Sequence, residues 1–525
     1  MKNNSSEPVW QGDLENGYYR NPILFGDYSD PDVIRVGDDY YMVASSFNYM
    51  PGLPVLHSKD LVNWKVISYV VERLPFPNYD KPEYGKGVWA PSIRFHDGKF
   101  WVFFATPDEG IFMSTTTDPY KGWAPLTHVK KTRGWIDPCP FWDDDGNAYL
   151  VSAFAKSRIG FKSILHLSRM SPDGTCLLDE GVHIFDGNLN HHTIEGPKMY
   201  KRNGYYYIFA PAGGVKTGWQ TVLRSKNIYG PYEDRIVMHQ GKTNVNGPHQ
   251  GGWVETQTGE HWFIHFQDRG PYGRIVHLQP MVWVDDWPVI GKDTENCGTG
   301  EPVDVYKKPD VGGVFPVQVP ETSDDFDKNK LGLQWQWNAN PQEKWYSLTE
   351  RDGFLRLYAL NNSNESGLLY HAPNILTQLF QAPEFTASAK LEFSPAQTGD
   401  KAGLVILGDE YMYLTIEKTE EGNKVACIYG SPSENGYREE VLESRTAEST
   451  TVIFRVDVRN GAVCSFSFSY DGENFVNAGR DFNATAGSWV GAKLGIFAMN
   501  TYSDSKGFAD FDWVIVGKPG STGRG

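Results

Sequence analysis

The clearest pattern along the chain is a short, mostly apolar strand, a polar turn, and a second strand that is apolar along its whole length. It is plainest at 195–210, where EGPKMY leads through the Arg202-Asn203-Gly204 turn into YYYIFA. Asn-Gly between two apolar runs is a strong short-range signal for a β-hairpin. The run from Tyr205 to Ala210 carries no charged residue, so both of its faces should be buried. The same layout recurs at Asp30–Ala44 around Gly37-Asp38-Asp39, at Ala90–Phe104 around His96-Asp97-Gly98-Lys99, at Asp137–Val151 around Asp145-Gly146-Asn147, and at Gly247–His265 around Thr258-Gly259-Glu260.

With Asp30, Ala90, Asp137, Glu195 and Gly247 as equivalent starts, the copies lie 60, 47, 58 and 52 residues apart. That is the length of a four-stranded propeller blade with long loops. Strand-like pieces at 54–57 with 64–66, at 110–113 and at 220–224 would complete the blades, and Ile275 to Pro288 would close the ring. A polar segment containing Gly and Pro then breaks the pattern. Beyond it, strand signals continue without the repeat, at 354–357, 385–393, 404–407, 411–416, 451–458, 464–470 and 493–498, a spacing that suits two packed antiparallel sheets. The expected fold is therefore all-β: a five-bladed β-propeller over 1–302, a linker over 303–323, a jelly-roll-like β-sandwich over 324–518 and a disordered tail over 519–525.

Composition adds exclusions. A formal net charge of -16 over 525 residues, with no cluster of Lys and Arg, argues against a nucleic-acid partner. The five cysteines, Cys139, Cys176, Cys297, Cys427 and Cys464, are odd in number and widely spaced, unlike a disulfide framework or a zinc site, and are expected as buried free thiols. The N-terminal stretch has no apolar core of a signal peptide, and no apolar run reaches about 20 residues, so no membrane partner and a cytoplasmic location are expected.

The chemistry should sit where the innermost strands converge at one end of the ring. Three of the five repeat starts carry a carboxylate, Asp30, Asp137 and Glu195, each directly before Pro or Gly-Pro. Either motif can merely open a strand as a turn residue. Three at one repeat position exceed that role, because like charges in one cavity raise each other's pKa and are costly unless a reaction needs them. Such a cluster can hold one group protonated as an acid while another stays ionised as a base, the division of labour in glycoside hydrolysis.

The hairpin starts Ser29-Asp30-Pro31-Asp32, Trp89-Ala90-Pro91-Ser92, Ile136-Asp137-Pro138 and Glu195-Gly196-Pro197, in that order, resemble the catalytic domain of glycoside hydrolase family 43. Asn21-Pro22-Ile23-Leu24 and the run from His57 to Trp64 are similar to its β-xylosidase and α-L-arabinofuranosidase members. Ala402-Gly403-Leu404, Tyr470-Asp471-Gly472 and Phe511-Asp512-Trp513 resemble the β-sandwich that follows the propeller in that branch. The resemblance implies that Asp30 is the general base, Glu195 the general acid, and Asp137 the group that tunes the acid. It also implies inversion at the anomeric carbon, with the Asp30 and Glu195 carboxyls roughly 6.5–9.5 Å apart. Phe47 and Trp89 would wall the sugar, His249 would lie beneath it, and Arg274 would reach the substrate or the acid.

The expected activity is inverting, exo-acting release of xylose or arabinose from the non-reducing ends of xylo-oligosaccharides or arabinosides, with the sandwich closing one side of the mouth through Asn361–Leu376 or Asn374–Phe380. The partner is an oligosaccharide, and a homo-oligomer is compatible with the reading. No cofactor is required and no catalytic metal is expected, since calcium takes six or more oxygen ligands. Because some members keep a structural calcium near the histidine, one is compatible here too. The segment FNYMPG at 47–52 departs from the more familiar Phe-Glu-Trp-Phe-Pro-Gly form, which bears on xylose against arabinose. Two alternatives stand: an α-L-arabinofuranosidase acting mainly on arabinan or arabinoxylan side chains, and a catalytically silent, lectin-like sugar binder. A retaining, invertase-type propeller would open on Trp-x-Asn-Asp-Pro, which is lacking.

Overall fold

The computed structural model describes residues 7–361 and 366–521; residues 522–525 of the expected tail and 362–365 of the expected mouth segment lie outside them. Five four-stranded antiparallel sheets follow one another along the chain, each with its strands in sequence order. Blade one holds Asp32–Val36, Asp39–Val43, Gly52–Ser58 and Trp64–Val71, and blade two Ser92–His96, Lys99–Thr106, Gly110–Thr116 and Thr127–Lys131. Blade three holds Trp135–Trp142, Ala148–Phe154, Ile164–Met170 and Val182–Asp186, and blade four Lys198–Arg202, Tyr205–Ala212, Trp219–Ser225 and Glu233–His239. Blade five holds His249–Glu255, His261–Asp268, Arg274–Val284 and Trp287–Ile290.

Local chemistry explains the hairpins. In the fourth, Asn203 and Gly204 take φ of 50° and 74°, the pair of positive values that a two-residue turn matching the strand twist requires. The strand after it is buried from Tyr207 onward, with Tyr205 and Tyr206 half-buried at its start. The inner strands of blades one to four touch in turn around the axis, and that of blade five packs on the second strand of blade four and on the inner strand of blade one. The stretch from Ile275 to Pro288 forms the third and fourth strands of blade five, and its Val276 exchanges backbone hydrogen bonds with Leu24, so it takes part in closing the ring. The ring is pinned further by a two-stranded sheet in which Tyr18–Arg20 pairs with Val305–Lys307. Asn21 adds hydrogen bonds to Leu278 and Val303 at 2.8 Å.

The C-terminal region packs two seven-stranded antiparallel sheets face to face, with a core that includes Leu404, Leu414, Phe454, Phe466, Ile496 and Phe511. That core runs on into the propeller through Phe25, Tyr272 and Ile275. Polar bonds fix the interface: Met50 and Trp337 exchange backbone hydrogen bonds, Asn340 bridges Leu74 and Asp80, and Tyr272 OH donates to Pro383 O at 2.9 Å while accepting from Ala462 N at 2.7 Å. Three cysteines are buried free thiols as expected, but Cys176 and Cys297 are exposed, because both lie in polar loops outside the sheets. Among the described residues no helix is long and apolar enough to cross a membrane.

Candidate active site

The inner strands of blades three and five enter the axis through a bulge. In blade three Ile136 pairs with Ala153 and Cys139 with Val151, leaving Asp137-Pro138 opposite one residue; in blade five His249 pairs with Phe266 and Gly251 with His265, leaving Gln250 as the extra residue. The residue at this position takes positive φ: 53° at Asp30, 56° at Asp137, 57° at Gly196 and 33° at Gln250. This corrects the register read from the sequence. Gly196, not Glu195, is the fourth equivalent of Asp30 and Asp137, and Gln250, not Gly247, is the fifth. Glu195 stands one step earlier, at the level of Ser29, Trp89, Ile136 and His249. The intervening Gly196 causes the offset. A Cβ on it would lie 2.7 Å from Gln250 Cγ, so the close approach of blades four and five, together with its φ, calls for glycine.

The offset gives the three carboxyls different surroundings. Asp30 is buried and held by two partners: Ser45 Oγ donates to its Oδ2 at 2.5 Å, and Arg274 Nη1 reaches both oxygens at 3.2 and 3.3 Å. Asp137 is buried and accepts from Gly196 N at 2.8 Å. Glu195 alone faces outward, with its side chain 25 % exposed, and its Oε1 shares a hydrogen bond of 2.9 Å with His249 Nε2. Burial, then the neighbouring Glu195 and Asp30 carboxylates, push Asp137 up to about 8, against the pull of Lys198. Asp137 therefore keeps its proton near neutral pH, where an isolated aspartate would have lost it.

A second layer lies under the first. Asp32, Ser92, Cys139 and Lys198 each follow the axial proline of their blade. Lys198 is fully buried and donates to Pro91 O and Ser92 Oγ at 2.9 Å, which fixes a positive charge below the carboxyls. Arg94 joins Asp32 at 2.7 Å to Cys139 Sγ at 2.9 Å, tying the first three blades together at the axis.

Above the carboxyls the walls are aromatic. Phe47 packs 6.3 Å from Trp89, and the Arg274 guanidinium lies over Phe47 and Phe266 at 5.9 and 4.9 Å. Arg158, which sequence reasoning missed, covers Trp89 at 5.3 Å. The largest omission is Trp489. It comes from the sandwich, is 53 % exposed, takes φ of 68°, and sits 6.2 Å from Trp89 and 5.7 Å from the Arg274 guanidinium. Of the expected mouth segments, Leu376–Leu379 is a strand of the sandwich and Phe380 packs in its core, while Tyr370 lies 4.4 Å from Tyr84 of the propeller. Asn48, in the departing FNYMPG segment, turns away and donates to Asn338 O at 3.0 Å.

All seven residues singled out from the sequence thus come together: Asp30, Asp137, Glu195, His249, Arg274, Phe47 and Trp89. His249 Nδ1 is buried without a partner. It would suit a water or an ion, yet among the described residues no group of three or more His, Cys, Asp or Glu side chains is placed to hold a metal.

An all-β propeller that gathers three carboxyls of unlike exposure beneath aromatic walls has the make-up of a glycosidase site. Comparison with known proteins identifies the family. Residues 19–288 match the model of glycosyl hydrolases family 43, and 323–516 match the β-xylosidase C-terminal concanavalin A-like domain. A chain from Xylanibacter ruminicola is 43 % identical over 497 residues, covering 94 % of this chain and 88 % of its own. A β-xylosidase of Formosa agariphila is 35 % identical (96 % and 90 % covered), and a non-reducing end α-L-arabinofuranosidase of Bacteroides ovatus 32 % (94 % of each). Among solved structures, xylan β-1,4-xylosidase from Bacillus halodurans superposes with a TM-score of 0.84 at 26 % identity, covering 95 % of this chain and all of that one. The chain belongs to glycoside hydrolase family 43, and it is a glycosidase.

Proposed function

We propose that this chain is an inverting, exo-acting glycoside hydrolase that releases xylose or arabinose from the non-reducing ends of short xylo-oligosaccharides or arabinosides. The reading rests on the unlike exposure of the carboxyls. Glu195, open to the mouth, donates its proton to the leaving glycosidic oxygen as the carbon–oxygen bond breaks. Asp30, buried and bridged to Arg274 and Ser45, takes a proton from water as the water oxygen attacks the anomeric carbon from the opposite face. Asp137, held by Gly196 N and keeping its own proton near neutral pH, tunes the neighbouring acid and holds it in place. After each turnover Glu195 is ionised and Asp30 protonated, and exchange with solvent resets both. Trp489 and Trp89 make a pocket from what would otherwise be a groove, which is why we assign exo action. The relatives carry both β-xylosidase and α-L-arabinofuranosidase names, so both sugars stay in the assignment.

The test is a panel of aryl β-D-xyloside, aryl α-L-arabinofuranoside, xylotriose and an arabino-oligosaccharide, with proton NMR of the first-formed sugar. Cleavage of xylotriose should release one α-xylose at a time. First-formed β-xylose would overturn inversion, and sugar binding without cleavage of any substrate would overturn the enzyme.

A further inference from the structure

Asp27 plays no part in the chemistry above, yet it touches both halves of the site. It is buried in the first loop of the propeller. Its Oδ1 accepts from Arg274 N at 2.8 Å and from Ser29 Oγ at 2.9 Å. Its Oδ2 accepts from Gly491 N at 2.8 Å, across the boundary with the sandwich. Arg274 is the residue that grips Asp30, and Gly491 stands two positions after Trp489. The contact is close as well as polar: a Cβ on Gly491 would lie 2.5 Å from Gly273 N, and one on Gly273 would lie 2.3 Å from Asp27 Cγ.

We propose that Asp27 is a positioning residue that locks the Trp489 loop of the sandwich onto the propeller and thereby sets the enzyme's preference for oligosaccharides over substrates with small leaving groups. This rests on the proposed function, in which Trp489 walls the pocket, and takes that wall as the one facing the leaving group. A buried carboxylate that accepts from three donors is costly unless all three bonds are made, so it specifies one placement of the loop; buried Lys493 is the cation that acts on it across the same boundary. The other interface bonds, at Met50–Trp337, Asn340 and Tyr272, keep the domains docked without it.

An amide in place of the carboxylate discriminates the two halves. Asp27→Asn keeps its single acceptor on the side with two donors, Arg274 N and Ser29 Oγ. It then turns an NH2 toward the Gly491 N–H, donor against donor, and the loop is released while the Arg274 side stays intact. The expected result on the full chain is a loss of about tenfold in kcat/KM on xylotriose. On β-D-xylosyl fluoride, whose leaving group needs neither wall nor acid, the change should stay within about twofold. In a Trp489→Ala background, Asp27→Asn should add less than about twofold on xylotriose, because the two act through one contact. Hydrogen exchange gives a readout independent of turnover: peptides spanning 488–491 should exchange faster in Asp27→Asn, while those covering Met50 and Trp337 do not change. Unchanged exchange at 488–491 would overturn the lock. Faster exchange with equal losses on both substrates, or with no loss on either, would overturn its role in specificity. A wild-type chain that cleaves neither substrate would sink the proposed function and, with it, the specificity role, leaving the exchange result to decide the lock alone.

Discussion

Removing the Glu195 carboxyl tests the proposed division of labour most directly. The side chain is three-quarters buried and its hydrogen-bond partner among the described residues is His249 Nε2, so Glu195→Ala leaves a second nitrogen of that buried imidazole unpaired beside Nδ1, at a cost of about 1–3 kcal/mol. Part of that is offset, because the variant also removes the neighbouring carboxylate that is the second-largest cause of the raised Asp137 pKa. The protein should therefore stay folded, and the effect should appear in catalysis. A positioned acid contributes about 10²–10⁴-fold, but only where the leaving oxygen needs a proton. On xylobiose kcat/KM should fall by that full factor, on a 4-nitrophenyl glycoside by much less, and on xylosyl fluoride hardly at all. Plotted against leaving-group pKa for a series of aryl xylosides, log kcat/KM should be nearly flat for wild type and steep for the variant. Parallel lines, with every substrate losing the same factor, would refute the assignment and return Glu195 to a binding or structural role.

Three further outcomes follow from the same geometry. Asp137→Asn should stabilise the fold more at pH 8 than at pH 4.5: with its native pKa near 8, Asp137 keeps its proton when folded and loses it when unfolded, so its burial penalises the native state increasingly as pH rises from about 4 to about 8; equal shifts in Tm at both pH values would contradict this. Gly196→Ala should cost about 2 kcal/mol or more in urea unfolding and displace Glu195, since it meets both a φ of 57° and Gln250 at 2.7 Å; wild-type stability would show that the backbone there can relax. Trp489→Ala should lower kcat/KM on xylotriose roughly tenfold while sparing xylosyl fluoride, as measured by initial rates; an unchanged ratio would place the leaving group elsewhere.

The blades were legible because each hairpin carries its own turn chemistry: Asn203-Gly204 and Asp97-Gly98 announce the reversal wherever the tertiary context puts it. The site residues were legible because the repeat brings its starts to one axis. The register was not: with five different sequences at the axis, nothing local says whether Glu195 or Gly196 matches Asp137, and only the pairing with the second strand decides it. Trp489 was hidden for a different reason. Its loop meets Gly85 and Arg274 hundreds of residues away in sequence, and the one local signal is a large aromatic left exposed between Gly487 and Gly491. The long hairpin of Gly422–Ser433 and Gly436–Thr446 also escaped notice, because Arg438, Glu439, Glu440, Glu443 and Arg445 give its outer strand the composition of a solvated loop. Arg438, Glu440 and Arg445 mark a sheet edge kept in water, while Glu439 turns inward and accepts from Tyr411 OH and Tyr413 OH.

That the last wall of the pocket comes from the second domain has a consequence for how the protein is made. All five blades have been synthesised once Ile290 is in place, but Trp489 follows only after about 10–40 s at ordinary elongation rates. In that interval the propeller carries its three axial carboxyls at an open mouth and shows Phe25, Tyr272 and Ile275, which later belong to the sandwich core, to water. The half-made chain is therefore both a looser enzyme and a stickier one than the product. Cutting the gene at the end of the propeller should yield that same intermediate rather than a smaller version of the enzyme.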